Sequence, residues 1–455
     1  MPLPTVATLT KLRSSMPLRI WVALALSVLL SIDTSAKASA GLIVDAKTAG
    51  AIGDGSADDT AALQRALDGG QRTVVIPKGT YLIRKTLLLD SATTIKAAPD
   101  AIIRLADKAG TSVDVFLLSN RDSVKGNSHV IVDGGIWDGN NANNPRGDPA
   151  TMPCYTGVGM HFNNVQGLVL RNLTIRNPET YAIRAIHLRD FRIEDIGFDF
   201  SVTRANQDGV HLNGFCEQGV IRNLTALSPF ATNDDMVALN ADDGDPKTYV
   251  FQQGMVNGPI RNITIENLRA PSVFSFVRLL SHEQPIENVT IDGIVGGARF
   301  YVINMDRWRF PPGGGRIQNV TIRHLQVHKM ADNFSSQARA AQRPLVHIQS
   351  AVKNFRIEDF VRDEREQPPA VTLLIDNKLP NRVKLAGLTP AQAEALRIVS
   401  PGITPAMVSQ TPTTDNSRVA PTHTLSMESN AQLTLPNGGF TLLTLDTIPP
   451  ASGGR

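Results

Sequence analysis

Gly167-Leu-Val-Leu-Arg-Asn-Leu-Thr-Ile175 is a phrase that the chain keeps repeating. It returns as Gly219-Val-Ile-Arg-Asn-Leu-Thr225, Ile260-Arg-Asn-Ile-Thr-Ile265, Ile286-Glu-Asn-Val-Thr-Ile291 and Ile317-Gln-Asn-Val-Thr-Ile322. Degenerate copies are Ile193-Glu-Asp-Ile196 and Ile357-Glu-Asp-Phe360. The aligned polar positions are Asn172, Asp195, Asn223, Asn262, Asn288, Asn319 and Asp359, spaced 23, 28, 39, 26, 31 and 40 residues apart. Each copy alternates with period 2 and is rich in β-branched residues, and no helical period separates the copies.

A period of this size made of strands and turns indicates a solenoid. One coil cannot bury its own apolar face, whereas stacked coils share a continuous core. Propeller blades need about 40 residues for four antiparallel strands, and the shorter spacings here do not supply them. The expected fold is all-β: a right-handed parallel β-helix over residues 41–365. The Asn-x-Thr triplets also match glycosylation acceptors. An Asn at one turn of every coil reads better as a hydrogen-bonded ladder along the stack.

Outward from the repeats, the 455 residues hold 45 Lys plus Arg against 42 Asp plus Glu, a formal charge of +3. Residues 1–40 carry the whole surplus, through Lys11, Arg13, Arg19 and Lys37 against Asp33. The remainder is formally neutral, which excludes the bulk basic footprint of a nucleic-acid binder. A 42% hydrophobic content over this length argues against disorder. The basic stretch, the apolar run Ile20 to Ile32 and the small residues Ala36 to Ala40 read as a signal peptide cleaved after Ala40. The run is shorter than the roughly 20 residues that span a bilayer. The expected location is therefore periplasmic or secreted, with no membrane attachment once the signal is removed. In that oxidising compartment Cys154 and Cys216 can pair or remain two buried thiols. Nothing in the sequence sets an oligomeric state.

Between the signal and the repeats, Ser56 or Asp58 can cap a helix whose Ala62, Leu63, Ala66 and Leu67 form one stripe. A strand at Val74 to Ile76 and a Pro77-Lys-Gly79 turn follow. This stretch, from Asp45 to Ile83, resembles the N-terminal signature of the pectate-lyase-like β-helix superfamily, which implies a helix covering the open end of the solenoid. Residues 366–455 lack the repeat and hold strand-like pieces at Val371 to Ile375, Arg382 to Leu385 and Phe440 to Leu445. They read as a small β-rich segment, and Ala431 to Leu445 resembles closing strands appended to arabinofuranosidase-type glycosidases.

A second alignment concerns the strand before each repeat phrase. His161-Phe-Asn163, His187-Leu-Arg189 and His211-Leu-Asn213 align 26 and 24 residues apart. Asn233-Asp-Asp-Met-Val-Ala-Leu-Asn240 superposes on Asn206-Gln-Asp-Gly-Val-His-Leu-Asn213 with an offset of 27. Alternation puts Val210 and Leu212 in the core and His211 and Asn213 outward. His161, His187 and His211 should then form an outward column lining a sugar-binding groove. Asp208, Asp234 and Asp235 fall at the edge of one sheet within one or two coils of each other. Carboxylates that close cannot all ionise easily, so at least one pKa should rise. A paired acid and base is what hydrolysis of a glycosidic bond needs, and a wide separation admits a water and favours inversion.

Asn206-Gln-Asp-Gly209 followed by Asp234-Asp235 resembles glycoside hydrolase family 28, the polygalacturonases. By that likeness Asp234 is the general acid, and Asp208 and Asp235 position and deprotonate the water. The family's later Gly-His-Gly and Arg-Ile-Lys motifs are missing, which puts polygalacturonate specificity in doubt more than hydrolysis. Beside the His column, the candidate substrate-binding residues are Asn206, Asn233, Arg278, His282, Arg307 and Trp308, with Arg299 and Arg309 as further cations for an acidic sugar. The run Asn240-Ala-Asp242-Asp243-Gly-Asp245 can supply oxygen ligands to Ca²⁺, although a solvated turn is the simpler reading, and no metal or other cofactor is expected. Three functions compete on these residues: a glycosidase on a polysaccharide or oligosaccharide substrate, a lyase or epimerase acting on a uronate-containing glycan, and a non-catalytic carbohydrate-binding β-helix.

Overall fold

The repeat phrases stack on one another, with a single shift of one strand at the phrase beginning at Ile260. In the computed structural model Ile193 pairs in parallel with Ile221, Ile221 with Ile265, Ile265 with Ile291, Ile291 with Ile322, and Ile322 with Ile357. Every member of this column is at most 1% exposed. A second buried column runs Leu173, Ile196, Leu224, Leu268, Ile294, Leu325 and Phe360. Parallel rungs lie ~4.8 Å apart, so identical branched side chains nest along the stack with little void. The structure describes residues 41–111, 115–145, 157–243, 256–307, 310–311, 313–330, 343–363, 371–388, 396–399, 422–428, 431–435 and 438–448. The expected signal peptide, Cys154, Trp308, Arg309 and Asp245 lie outside these residues.

Nearly all the regular structure among the described residues is strand. The long runs Ile260–Leu280 and Ile286–Met305 are strands bent at corners, and Asn262 and Asn267 mark two corners with φ near +55°. Asn tolerates this left-handed region better than other side-bearing residues. Its amide then reaches the next rung.

The corner amides form two ladders, not the expected one. Asn288 donates to Asn262 Oδ1, Asn319 to Asn288 and Asn354 to Asn319, each at 3.0 Å. The other ladder joins Asn172 to Asp133 and Asn223 to Asp195 at 2.8 Å, and Asn267 to Asn223 at 3.0 Å. The phrase beginning at Ile260 stacks on Cys216 rather than on Gly219, so the alignment of Asn223 with Asn262 is replaced by Asn223 over Asn267. The corners at Asn262 and Asn267 flank a short strand of the same alternating pattern, so a phrase can move by one strand and keep its pattern.

One α-helix occurs among the described residues, α1 (Thr60–Leu67), and it buries the expected stripe of Ala62, Leu63, Ala66 and Leu67. Its N-cap is Asp59 rather than Ser56 or Asp58. Asp59 turns its carboxylate away to accept from the Ile52 and Gly53 amides at 2.6 and 3.0 Å. Asp58 accepts instead from the Thr60 amide, at 3.0 Å. Parallel pairing continues past residue 365, since Leu373–Ile375 pairs with Val346–Ile348. The C-terminal strands return antiparallel: Gly438–Thr447 pairs with both Val352–Arg362 and Pro380–Ala386. They hydrogen-bond to the last rungs directly. Cys216 is a free buried thiol, which burial pushes up to about 12.

Candidate active site

Asp208 and Asp235 enter neighbouring rungs at matching places. Val210, His211 and Leu212 pair with Val237, Ala238 and Leu239, the offset of 27 expected from the sequence. Asp235 O accepts from the Gly209 amide at 3.0 Å, which ties the two turns together. Gly209 is required there, because a Cβ would come within 2.4 Å of Met236 O. That close approach explains the glycine after Asp208.

The three candidate carboxylates line one cavity of about 270 Å³ together with Asn206, His211, Asp243, Arg278 and Asp306, and with Tyr181, Phe274, Phe300 and Tyr301 as aromatic walls. Asp208 and Asp235 are buried, whereas Asp234 is half open to the cavity. Asn206 Nδ2 donates to Asp234 Oδ2 at 3.4 Å. Burial, reinforced by the charge of Asp208, pushes Asp234 up to about 8. Burial and the neighbouring Asp234 drive Asp235 well above the usual carboxylate range. Two adjacent carboxyls in one cavity thus share at least one proton at neutral pH, as like charges at close quarters require.

Asp208 has a different neighbour. His211 Nδ1 lies 2.5 Å from Asp208 Oδ2, and its Nε2 lies 3.1 Å from Asp243 Oδ2. Tyr181 stacks on the imidazole at 4.2 Å. Burial alone would lower the pKa of His211, but the two carboxylates outweigh it and raise it to about 9. Asp243 is held down at about 2, because the hydrogen bond and charge of His211 outweigh its burial. At neutral pH an imidazolium therefore donates to both acids. Asp243 was not among the residues that the sequence reading picked for this site. Its only signal was the acidic run after Asn240.

The described part of that run, Asn240 to Asp243, is neither open nor solvated. Asp242 is 3% exposed, and its Oδ2 accepts from the backbone amides of His282, Glu283 and Gln284 at 2.7–2.9 Å. Asp243 is 7% exposed and also accepts from Asn240, at 3.3 Å. The expected solvated turn is replaced by two buried carboxylates with protein partners.

The remaining candidates separate. The outward column is His161, Arg184, His211, Ala238, Arg278, Asn304 and His347. Arg184 takes the place expected for His187, since His161 pairs with a residue 23 positions on rather than 26. His187 falls on the following corner, with φ +52°, and faces a different depression. The column is also roofed over: His161 is 8% and His211 2% exposed. Burial and the adjacent Arg184 push His161 well below the usual histidine range.

Arg278 reaches the cavity but holds Asp306 through two hydrogen bonds of 2.9 and 3.2 Å. Asn233 donates to Arg204 O at 2.8 Å and accepts from the buried Arg299 at 2.5 Å, so both brace the turn. His282 stacks on Phe310 at 4.5 Å, and Arg307 donates to Phe310 O at 2.8 Å. Neither of these two lines the cavity. Tyr301, which does, was not among the candidates from the sequence. An arginine beside it, Arg343, donates to its hydroxyl at 3.2 Å.

A family model described as rhamnogalacturonase A/epimerase, pectate lyase-like, matches residues 43–180. The chain resembles the pectate-lyase-like superfamily. The match ends before Asp208, so it bears on the first rungs and not on the acid cluster. The pre-neck appendage protein of Bacillus phage phi29 is 25% identical over 271 residues, 55% of this chain and 29% of that protein. An exopolygalacturonase of Arabidopsis thaliana is 24% identical over 272 residues, 56% of this chain and 54% of the enzyme. The chain thus spans under a third of one relative and about half of the other. The solved N-terminal fragment of bacteriophage phi29 gene product 12 superposes with a TM-score of 0.51 at 15% identity, covering 78% of this chain and 57% of the fragment. That likeness is one of fold.

Proposed function

We propose that this pectate-lyase-like chain is an exported polysaccharide-degrading glycoside hydrolase, polygalacturonase-like, built as a right-handed parallel β-helix with α1 capping one end. The observation that carries this reading is the acid cluster. Three carboxyls surround one cavity, with a proton held on the Asp234–Asp235 pair and an imidazolium hydrogen-bonded to Asp208. Two populations of carboxyl in one site, one protonated and one ionised, are the requirement of acid/base glycoside cleavage. Asp234, at the open side of the cavity, delivers its proton to the glycosidic oxygen as the bond to the anomeric carbon breaks. Asp208 and Asp235 position the water, and one of them takes its proton as the new C–O bond forms on the opposite face. The outcome is inversion. The walls of Phe274, Phe300 and Tyr301 offer apolar faces to sugar rings.

Reducing-end release on a panel of neutral and acidic polysaccharides tests this reading, with Asp234→Asn as the control. Turnover in the wild type that Asp234→Asn loses supports hydrolysis. Products absorbing in the ultraviolet through a new double bond, together with loss of activity in EDTA, would establish a uronate lyase instead. The likeness to a phage appendage protein, whose name carries no enzymatic activity, keeps a second reading, a non-catalytic carbohydrate-binding β-helix. Under that reading Asp234→Asn changes nothing.

A further inference from the structure

We propose a second glycan-binding groove, at the corner beyond the Asp208 strand, that takes an uncharged segment of a polysaccharide. A depression of about 410 Å³ opens there, and none of its residues lines the acid cavity. One wall is aromatic. His187 and Phe215 stack at 4.6 Å with their planes 26° apart, and Phe215 is 45% exposed. Both residues sit at corners with φ of +52° and +65°, where other rungs use Asn. Histidine tolerates that conformation, but a bulky ring such as Phe215 is disfavoured there, and such outliers persist where the surroundings hold them for a purpose. Gly258 packs on the Phe215 ring so tightly that a Cβ would lie 2.4 Å from it, which fixes the ring at the surface. Burial pulls the His187 pKa down and so favours the neutral imidazole.

The other wall is a polar column, Gln166, Arg189, Glu217 and Arg261, in register on successive rungs. Arg189 bonds to Glu217 at 2.8 Å, and Arg261 pairs with Glu287 at 2.8 Å. The charges cancel in pairs, while further N–H donors and carboxylate lone pairs stay available for hydroxyl groups. A pyranose ring has an apolar C–H face and a rim of hydroxyls, which match the two walls. A polyanion would instead need unpaired cations. The groove goes beyond the hydrolase reading, since it needs the partner to be a glycan but not that Asp234 cuts it.

The test is electrophoretic retardation in native gels cast with highly methyl-esterified pectin, polygalacturonate or dextran. Phe215→Asn removes the ring while placing at the corner a residue that accepts positive φ. The wild type and Asp234→Asn should both be retarded by the esterified polymer, and Phe215→Asn should lose roughly tenfold in affinity. Turnover of a short oligogalacturonide should be unchanged in Phe215→Asn. His187→Asn and Arg189→Gln repeat the comparison should Phe215→Asn fail to fold. Retardation unchanged in a folded Phe215→Asn variant would overturn the proposal. So would the absence of retardation by any polymer, or retardation by polygalacturonate alone that salt removes. A wild type that is retarded through Phe215 yet cuts nothing would leave the groove standing and remove the hydrolase.

Discussion

His211 Nδ1 stands 2.5 Å from Asp208 Oδ2 in a pocket where both residues are at most 3% exposed. The same ring contacts Asp243, so one cation serves two buried acids. The folded-state pKa of about 9 lies above the ordinary 6.5. The imidazolium therefore contributes its full stabilisation below pH 6.5 and loses it as pH rises through about 9. A shift of this size corresponds to on the order of 3 kcal/mol. Urea unfolding midpoints of the wild type should fall steadily between pH 6.5 and 9. The raised carboxyls Asp234 and Asp235 act in the same direction, so Asp243→Asn isolates the histidine. Removing one of its two carboxylate partners should move the loss to lower pH. A midpoint that stays flat up to pH 9 would contradict the bridge.

Asp234 faces the cavity and holds its proton up to about pH 8. If it is the general acid, kcat should decline above about pH 8, as the group ionises. Asp234→Asn should reduce kcat by roughly 10²–10⁴-fold, the usual contribution of a general acid. Its melting temperature should not drop, because the neutral amide replaces a carboxyl that is already protonated at neutral pH. Circular dichroism melts beside initial rates at pH 5–9 would check both halves.

The parts of this architecture that repeat were the parts readable in the sequence. The isoleucine columns follow from alternation, and the offset that places Asp208 beside Asp235 follows from one conserved phrase length between two rungs. The misplacements share a cause. His187 was aligned with His161 by residue identity, yet the rung between them is 23 residues, so Arg184 takes the column. Asn262 was aligned with Asn223 in the same way, while the true partner of Asn223 is Asn267. A period-2 strand and a five-residue corner-to-corner step are short enough that a phrase fits more than one register. Asp243 was missed because its partner, His211, lies 32 residues earlier, and only the closed stack brings them together.

The ladder predicts a graded effect at Asn288. Its backbone has φ +56°, it donates to Asn262 and it accepts from Asn319. Asn288→Gly keeps the corner but loses both amide bonds, a cost of about 1–2 kcal/mol. Asn288→Ala adds the strain of a Cβ at positive φ and should cost about 1 kcal/mol more. Equal denaturation midpoints for the two variants would mean that the corner imposes no conformational demand.

Asp242 supplies the sharpest separation between stability and activity. One carboxylate oxygen accepts three consecutive backbone amides, of His282, Glu283 and Gln284, and the side chain is 3% exposed. It does not line the acid cavity. Asp242→Ala leaves three part-buried amides without their acceptor, each bond worth about 1 kcal/mol. The expected destabilisation is about 3 kcal/mol. Asp242→Asn retains an acceptor oxygen and should recover part of it. Because Asp243 is the next residue, displacement of this turn should also loosen the His211 bridge. Asp242→Ala should then lose stability at a lower pH than the wild type, whereas Asp242→Asn should keep the wild-type profile. Identical pH profiles in all three proteins would show that the turn and the bridge are mechanically independent.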